Sequence, residues 1–216
     1  MIFVKICGIT TPAAIDAAAV AGVDAVGFVF APSPRQVSAR DARALAAGLP
    51  RQVQRIAVFR HPDAKQVAEV LELLEPDAVQ TDAGDFATLE LPSGCLALPV
   101  YRSGTAPAGG ELPPRLLFEG PLSGSGQTAD WHEARALARR TQLVLAGGLA
   151  PSNVGDAIRA VQPWGVDVSS GVEHARGQKD ADKIAQFVAR ARAVAMEDTP
   201  TSRPSDGSAR HGRARR

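Results

Sequence analysis

The first ten residues place two reactive side chains on one face of a predicted strand. Lys5 and Cys7 alternate with Val4 and Ile6 in the apolar run that begins the chain. Because strand side chains alternate with period two, the ammonium and the thiol share a face. A free thiol has a pKa of about 8.5, and a nearby cation favours the thiolate. Cys7 is therefore a candidate base or nucleophile, and the alternative is a small buried core residue.

Glycine and serine cluster after three later apolar runs. Such loops offer backbone N–H groups to an anion without obstruction by side chains, and serine adds a hydroxyl donor. Two of the loops follow the last two runs, and the loop at residues 123–126 is placed to close over the same site. We expect a phosphate to bind there. The candidate residues are Gly147, Gly148, Ser169, Ser170 and Gly171, with Gly124 and Gly126 as further candidates.

Single polar residues give further candidates. Arg35 lies in a loop rich in proline and serine, where it either binds a carboxylate with two N–H groups or is a surface arginine. Asp167 alternates in phase with Ser169, so we expect it beside Lys5, where a structural ion pair is favoured over a catalytic role. The histidines do not occur in pairs at metal-ligand spacing, and we expect no catalytic metal.

Eight short apolar runs, several of them rich in β-branched residues, predict the strands that position these residues. The predicted strands are Phe3 to Cys7, Asp24 to Phe30, Gln54 to Phe59, Asp77 to Gln80, Leu96 to Tyr101, Arg115 to Glu119, Gln142 to Ala146 and Gly165 to Ser169.

Helical patterns separate most of these strands. The predicted helices run from Thr11-Pro12 to Gly22, from Ala39 to Ala47 after Ser38, from Asp63 to Glu75, from Asp130, from Pro151 to Val161 and from Asp180 to Met196. Residues 81–92 allow at most a short helix, and the glycine- and proline-rich residues 102–114 predict an irregular crossover.

Strands alternating with helices indicate a parallel sheet, and eight such units indicate a closed (β/α)8 barrel. An open doubly wound sheet is the competing architecture, but no G-x-G-x-x-G follows the first strand. We expect a single barrel domain over residues 1–196. Residues 197–216, rich in Arg, Ser and Pro, are expected to form a disordered tail.

Composition limits the partners and the compartment. The 216 residues are 45% hydrophobic and carry a net charge of +1, so a nucleic-acid partner is not expected. The sequence contains no run of about 18 apolar residues, so we expect no membrane span. Two cysteines do not make a disulfide framework, and no signal segment begins the chain, so we expect a cytoplasmic protein with reduced thiols. The sequence leaves open a monomer or a homodimer.

Four segments of the chain form a distinctive combination: Lys5-Ile-Cys-Gly-Ile-Thr10, Asp24-Ala-Val-Gly-Phe-Val-Phe30, Ala146-Gly-Gly-Leu149 with Asn153-Val154, and Asp167-Val-Ser-Ser-Gly-Val-Glu173. Together they resemble the phosphoribosylanthranilate isomerase family. The resemblance runs in one order from residue 1 to about residue 190. It implies a (β/α)8 barrel of tryptophan biosynthesis that needs no cofactor. The implied reaction converts N-(5′-phosphoribosyl)anthranilate to 1-(2-carboxyphenylamino)-1-deoxyribulose 5-phosphate by an Amadori rearrangement.

The resemblance also implies roles for individual residues. Cys7 falls at the general base that removes the ribose C2′ proton, and Arg35 at the arginine that meets the anthranilate carboxylate. The loops at Gly147-Gly148 and Ser169-Ser170-Gly171 fall at the phosphate-binding positions. An acid and a base suffice for this chemistry, since one proton leaves carbon and one oxygen is protonated.

The chain departs from the family pattern at two places. The family usually ends strand six with Leu-Leu-Asp, whose Asp is the general acid, whereas this chain has Leu116-Leu-Phe-Glu119. Either Glu119 is the acid, from a register one residue later, or the acid lies elsewhere. The family motif Ala-Val-Gln-Leu-His-Gly appears here as Ala78-Val-Gln-Thr-Asp-Ala83, which keeps Gln80 as a candidate and replaces the usual His with Asp82.

Two other functions remain as hypotheses. The aminoaldose isomerase of the histidine pathway catalyses a similar rearrangement on a substrate with two phosphates. That family has an Asp where this chain has Cys7, and the first half of this chain has no phosphate loop. A barrel that binds a sugar phosphate without turning it over is the second hypothesis, because the acid of strand six is altered.

Overall fold

Parallel strands close into a barrel in chain order, with the last barrel strand pairing with the first. This computed structural model describes residues 1–106, 110–121 and 129–197. The predicted (β/α)8 architecture is confirmed, and the open sheet is excluded. The barrel strands are β1 Phe3–Cys7, β2 Ala25–Val29, β3 Gln54–Val58, β4 Ala78–Asp82, β5 Leu96–Arg102, β6 Arg115–Glu119, β7 Gln142–Leu145 and β8 Gly165–Val168.

Helices follow most strands and begin at polar caps. In α1 the Thr11 hydroxyl accepts a hydrogen bond from the Ala14 N–H, and Gly22 ends the helix with a φ of 71°. Asp130 caps α4 by accepting the N–H groups of His132 and Glu133. The helices are α1 Pro12–Ala21, α2 Ala39–Ala46, α3 Ala64–Leu74, α4 Trp131–Ala138, α5 Val154–Val161 and α6 Ala181–Glu197.

Two connections depart from the alternation of strands and helices, as predicted. After β4 there is only a 3-10 helix over Ala83–Ala87. Between β5 and β6, the described residues 103–106 and 110–114 contain turns and no helix. Glu197, the first residue of the expected tail, ends the last helix of the barrel, and residues 198–216 lie outside the described residues.

The helix α5 begins at Val154, three residues after the predicted start at Pro151. The reason is a turn held by Asn153, whose Oδ1 accepts the Ala150 N–H at 2.8 Å. Its Nδ2 donates to the Gly148 carbonyl at 2.9 Å. Asn153 therefore fixes the loop after β7 before the helix starts.

Two apolar layers hold the barrel together. Residues such as Ile56, Leu117 and Val144 fill its interior, while neighbours such as Leu116 and Phe118 pack outward against the helices. At the amino-terminal end of the strands the rings of Phe3 and Trp164 stack at 4.6 Å. The strands that carry the site are thus packed tightly at their amino-terminal ends.

A small hairpin between β8 and α6 was not predicted from the sequence. It consists of β9 Glu173–Ala175 and β10 Gln178–Lys179, which pair antiparallel. Strands of three and two residues are too short to show a periodicity. The hairpin brings Glu173 and Lys179 to the edge of the site described next.

Candidate active site

An open cavity lies at the carboxyl ends of the strands, where the loops of this fold build their sites. Its volume is about 1070 Å³, including the part open to solvent. Most of the predicted site residues line it: Cys7, Arg35, Gln80, Glu119, Gly147, Gly148, Asp167, Ser169 and Ser170. Lys5 is fully buried beneath the cavity, and Gly124 and Gly126 lie outside the described residues.

Lys5 and Asp167 form a buried ion pair at the base of the cavity. They are paired in register between β1 and β8, and Lys5 Nζ lies 2.8 Å from Asp167 Oδ1. Burial alone would lower the pKa of Lys5, but the charges of Asp167 and Cys7 raise it above its ordinary value. Lys5 is therefore a permanent cation beside Cys7, as the strand alternation predicted.

This cation lowers the pKa of Cys7 as expected, but burial outweighs its effect. Burial raises the pKa of the Cys7 thiol, and the charge of Asp167 adds to the rise. Lys5 and Lys179 act in the opposite direction without overcoming burial. The resting group is a thiol that is 7% exposed, so it must lose its proton before it can act as a base.

Arg35 reaches the cavity but is already held by a carboxylate. Its Nε donates to Glu173 Oε1 at 2.6 Å and its Nη2 to Glu173 Oε2 at 2.9 Å. Gly8 lets the side chain cross the end of β1, because a Cβ at Gly8 would stand 2.5 Å from Arg35 Cδ. The side chain is 11% exposed, so it is not a free surface arginine.

The loops after β7 and β8 pack against each other at one side of the cavity. Gly147 and Gly148 have φ values of 84° and 65°, a region that side chains disfavour. A Cβ at Gly171 would lie 2.0 Å from the Leu149 carbonyl oxygen, so only glycine fits between the loops. The Ser169 hydroxyl donates to the Cys7 carbonyl at 3.1 Å.

Glu119 faces the cavity at the end of β6. It alternates in phase with Leu117, which is in the barrel interior, whereas Phe118 packs outward. Arg102, at the end of β5, places its Nε 3.3 Å from Glu119 Oε1 and its Nη2 2.5 Å from Asp82 Oδ1. Arg102 was not among the predicted site residues, although it alternates in phase with the interior residue Val100.

Asp82 also belongs to a cluster at the rim. His61 Nε2 lies 3.0 Å from Asp82 Oδ2, and His61 Nδ1 lies 3.1 Å from Asp85 Oδ1. Within the described part of the chain, these three residues alone are spaced so that they could hold a metal ion. The group contains one histidine and two aspartates, so the absence of paired histidines in the sequence did not reveal it. A cation there would compete with the Arg102 guanidinium for Asp82.

Gln80 presents a buried amide to the cavity. The residue is 7% exposed, and its Oε1 has no hydrogen-bond partner among the described residues. A buried acceptor without a partner costs about 1–3 kcal/mol, so this oxygen is suited to a ligand donor.

Glu173 and Lys179 were not predicted as site residues, although Glu173 ends the last segment of the family resemblance. Lys179 Nζ lies 2.8 Å from Glu173 Oε1 and 3.0 Å from the Ser169 carbonyl. Its side chain is 1% exposed. The hairpin thus carries a buried charged pair behind Arg35.

Comparison with known proteins identifies the family. The family model for N-(5′-phosphoribosyl)anthranilate (PRA) isomerase matches residues 4–89 and 110–190. A relative from Streptococcus pneumoniae (strain Taiwan19F-14), named N-(5′-phosphoribosyl)anthranilate isomerase, is 40% identical over 190 residues, or 87% of this chain and 94% of its own. The chain belongs to the N-(5′-phosphoribosyl)anthranilate isomerase family.

Solved structures agree with this membership. The phosphoribosyl anthranilate isomerase of Thermotoga maritima is 32% identical, with a TM-score of 0.75 over 89% of this chain and 100% of its own. A second structure, 32% identical over the same shares with a TM-score of 0.71, holds reduced 1-(o-carboxyphenylamino)-1-deoxyribulose 5-phosphate. The family and the enzyme class predicted from the sequence are confirmed.

Among the described residues, every helix is too short or too polar to cross a bilayer.

Proposed function

We propose that Cys7 and Glu119 are the base and the acid with which this chain performs the reaction of its family. That reaction is the isomerisation of N-(5′-phosphoribosyl)anthranilate in tryptophan biosynthesis. The observation that carries the proposal is their placement: a thiol from β1 and a carboxyl from β6 line one cavity, beside the glycine- and serine-rich loops. The two groups therefore approach a bound sugar from different sides of the barrel.

The chemistry divides between the two groups in order. Protonated Glu119 gives its proton to the ribose ring oxygen, and the ring opens to a Schiff base. The Cys7 thiol gives its proton to water in the open cavity, and the resulting thiolate takes the C2′ proton. The electron pair of that C–H bond forms the enolamine that becomes the aminoketose. Lys5, fixed by Asp167, supplies positive charge beside the thiolate. This balances the negative charge that burial disfavours.

The substrate has an anionic group at each end. We assign its phosphate to Gly147, Gly148, Ser169, Ser170 and Gly171, and its carboxylate to Arg35. A guanidinium has five N–H donors, and Glu173 occupies two of those of Arg35. The remaining donors can meet a carboxylate. The analogue bound by the solved relative carries both a phosphate and a carboxyl group.

The wider setting is proposed on the same basis. We propose a cytoplasmic enzyme that binds no nucleic acid; its cysteines, Cys7 and Cys95, are free thiols. The isomerase from Thermotoga maritima is described as dimeric and has also been solved as monomers. For this chain either state is possible, and sedimentation of the purified enzyme decides between them.

The assignment of the acid is tested with two substitutions of Glu119. Glu119→Gln removes the proton donor but keeps the shape, and we expect kcat to fall at least about a hundredfold. Glu119→Asp keeps the carboxyl group and should restore part of the rate. The reduced product analogue should bind both variants as it binds the wild type.

A rate near normal in Glu119→Gln would assign the acid elsewhere, with Asp167 or a bound water as the next candidates. Wild-type enzyme that binds the analogue without turning over the substrate would instead favour a binding protein. Turnover is followed by the loss of substrate fluorescence.

A further inference from the structure

Lys179 is a buried cation that the reaction described above does not use. Its side chain is 1% exposed, on the second strand of the β9–β10 hairpin. Its Nζ contacts the Ser169 carbonyl at 3.0 Å, the Ser169 hydroxyl at 3.4 Å and Glu173 Oε1 at 2.8 Å. A buried ammonium is costly unless it is paired, so this position calls for an explanation.

The partner of Lys179 is also the partner of Arg35. Glu173 accepts two hydrogen bonds from the Arg35 guanidinium, one from Lys179 and one from the Gly177 N–H. Two cations thus share one carboxylate, and the buried cluster keeps a net positive charge. The substrate offers anionic groups to this side of the cavity.

The other end of the network reaches the strand of the catalytic thiol. Lys179 holds Ser169 through its carbonyl, and the Ser169 hydroxyl donates to the Cys7 carbonyl at 3.1 Å. An unbroken series of contacts therefore runs from Cys7 through Ser169, Lys179 and Glu173 to Arg35.

The hairpin turn supplies a second link to Arg35. Gly177 has a φ of 82°, and a Cβ there would stand 2.8 Å from the Pro34 carbonyl oxygen. The turn thus packs directly on the backbone next to Arg35. The hairpin is held on both sides and has little freedom to shift.

We propose that Lys179 is a positioning residue that fixes the phosphate loop and the carboxylate-binding arginine in one frame relative to Cys7. The inference rests on the roles proposed for Arg35 and for the loop at Ser169. Because Lys179 touches both the loop and Glu173, its loss should loosen both ends of the substrate together. A misplacement of 1 Å at a reacting centre can cost about a hundredfold in rate.

The test compares Lys179→Met with a matched control, Lys183→Met. Lys183 Nζ donates to the Glu173 main-chain carbonyl at 2.7 Å, so it ties α6 to the same hairpin through the backbone. In Lys179→Met we expect kcat to fall about tenfold or more. The inhibition constants of inorganic phosphate and of anthranilate should both rise about threefold, which is about 0.65 kcal/mol each. Lys183→Met should change none of these constants.

A second readout separates positioning from folding. The charge of Lys179 opposes the rise in the pKa of Cys7, so alkylation of Cys7 by iodoacetamide should shift to higher pH in Lys179→Met. The experiment uses a Cys95→Ser background so that one thiol reacts. An unchanged profile together with a lower melting temperature would show that the charge of Lys179 does not act on Cys7 and that Lys179 only stabilises the fold.

If Lys179→Met does not fold, Glu173→Gln provides the second variant. It keeps the size of the side chain but weakens the link to both cations, and we expect weaker anthranilate binding with a smaller effect on phosphate. Equal kinetics in Lys179→Met and Lys183→Met would overturn the inference, as would unchanged anthranilate binding in Glu173→Gln. An inactive wild type would instead refute the proposed function.

Discussion

Gly27 controls the space around the Cys7 thiol, and Gly27→Ala should damage the site without removing a charged group. Gly27 stands opposite Cys7 in the pairing of β1 with β2. A Cβ at this position would lie 3.0 Å from Cys7 Sγ, 3.1 Å from Lys5 Nζ and 3.2 Å from Lys5 Cε. Real Cβ atoms rarely approach their neighbours so closely, so the side chains of β1 must move.

The neighbours have little room to yield. Lys5 is fully buried, and its Nζ donates a hydrogen bond to Asp167 Oδ1 at 2.8 Å. Overpacking of a core usually costs about 1–3 kcal/mol. For a chain of this size, each kcal/mol lowers the melting temperature by about 2–4 °C. Because a 1 Å error costs about a hundredfold in rate, a displacement of the thiol by about 0.3 Å should lower kcat about fourfold.

The assay measures kcat and the melting temperature of Gly27→Ala beside a matched glycine variant. Gly84→Ala adds the same methyl group where no atom lies within 4 Å, so both quantities should stay at wild-type values. A Gly27→Ala enzyme with the rate and stability of Gly84→Ala would show that the packing of Cys7 and Lys5 is loose. It would refute the argument that their positions are fixed by sterics.

Three further predictions follow from the contacts of the site and the composition of the tail. Arg35→Ala should weaken binding of anthranilate more than inhibition by phosphate, and equal losses would contradict separate subsites. Burial would raise the pKa of Glu173, but the hydrogen bonds from Arg35 and Lys179 prevail and lower it from 4.5 to about 2. The stability this provides, about 3 kcal/mol, is present above pH 4.5 and is lost as the pH falls towards 2, so urea unfolding of Glu173→Gln should show a flatter acid limb. Truncation after Asp198 should leave activity and melting temperature unchanged, since residues 199–216 have too few apolar side chains to dock.

The fold could be predicted from the sequence because the residues of each helix and strand indicate the type of that element and where it begins. The polar caps Thr11, Ser38, Asp63 and Asp130 mark helix starts, and each accepts a backbone N–H of its helix. The two-residue period of strands also placed Lys5 with Cys7 and separated Glu119 from Phe118. These inferences need only neighbours in sequence.

The electrostatics of the site could not be predicted in the same way. The pKa of Cys7 depends on burial and on Asp167 and Lys179, which lie far away in the sequence. The bidentate pairing of Arg35 with Glu173 joins residues 138 positions apart. Lys5 alone predicts a lowered pKa for Cys7, whereas the pKa of Cys7 in the folded protein is raised.

The most direct test of the account follows the proton that Cys7 is proposed to remove. The substrate, N-(5′-phosphoribosyl)anthranilate deuterated at ribose C2′, is incubated with wild type, Cys7→Ala and Cys7→Ser, and loss of the label is measured together with turnover. We predict that the wild type releases the deuterium at each turnover. Both variants should release it at least about two orders of magnitude more slowly while still binding the reduced product analogue. Loss of the deuterium at a nearly normal rate in Cys7→Ala would contradict the assignment of Cys7 as the base and would show that Cys7 is a packing residue.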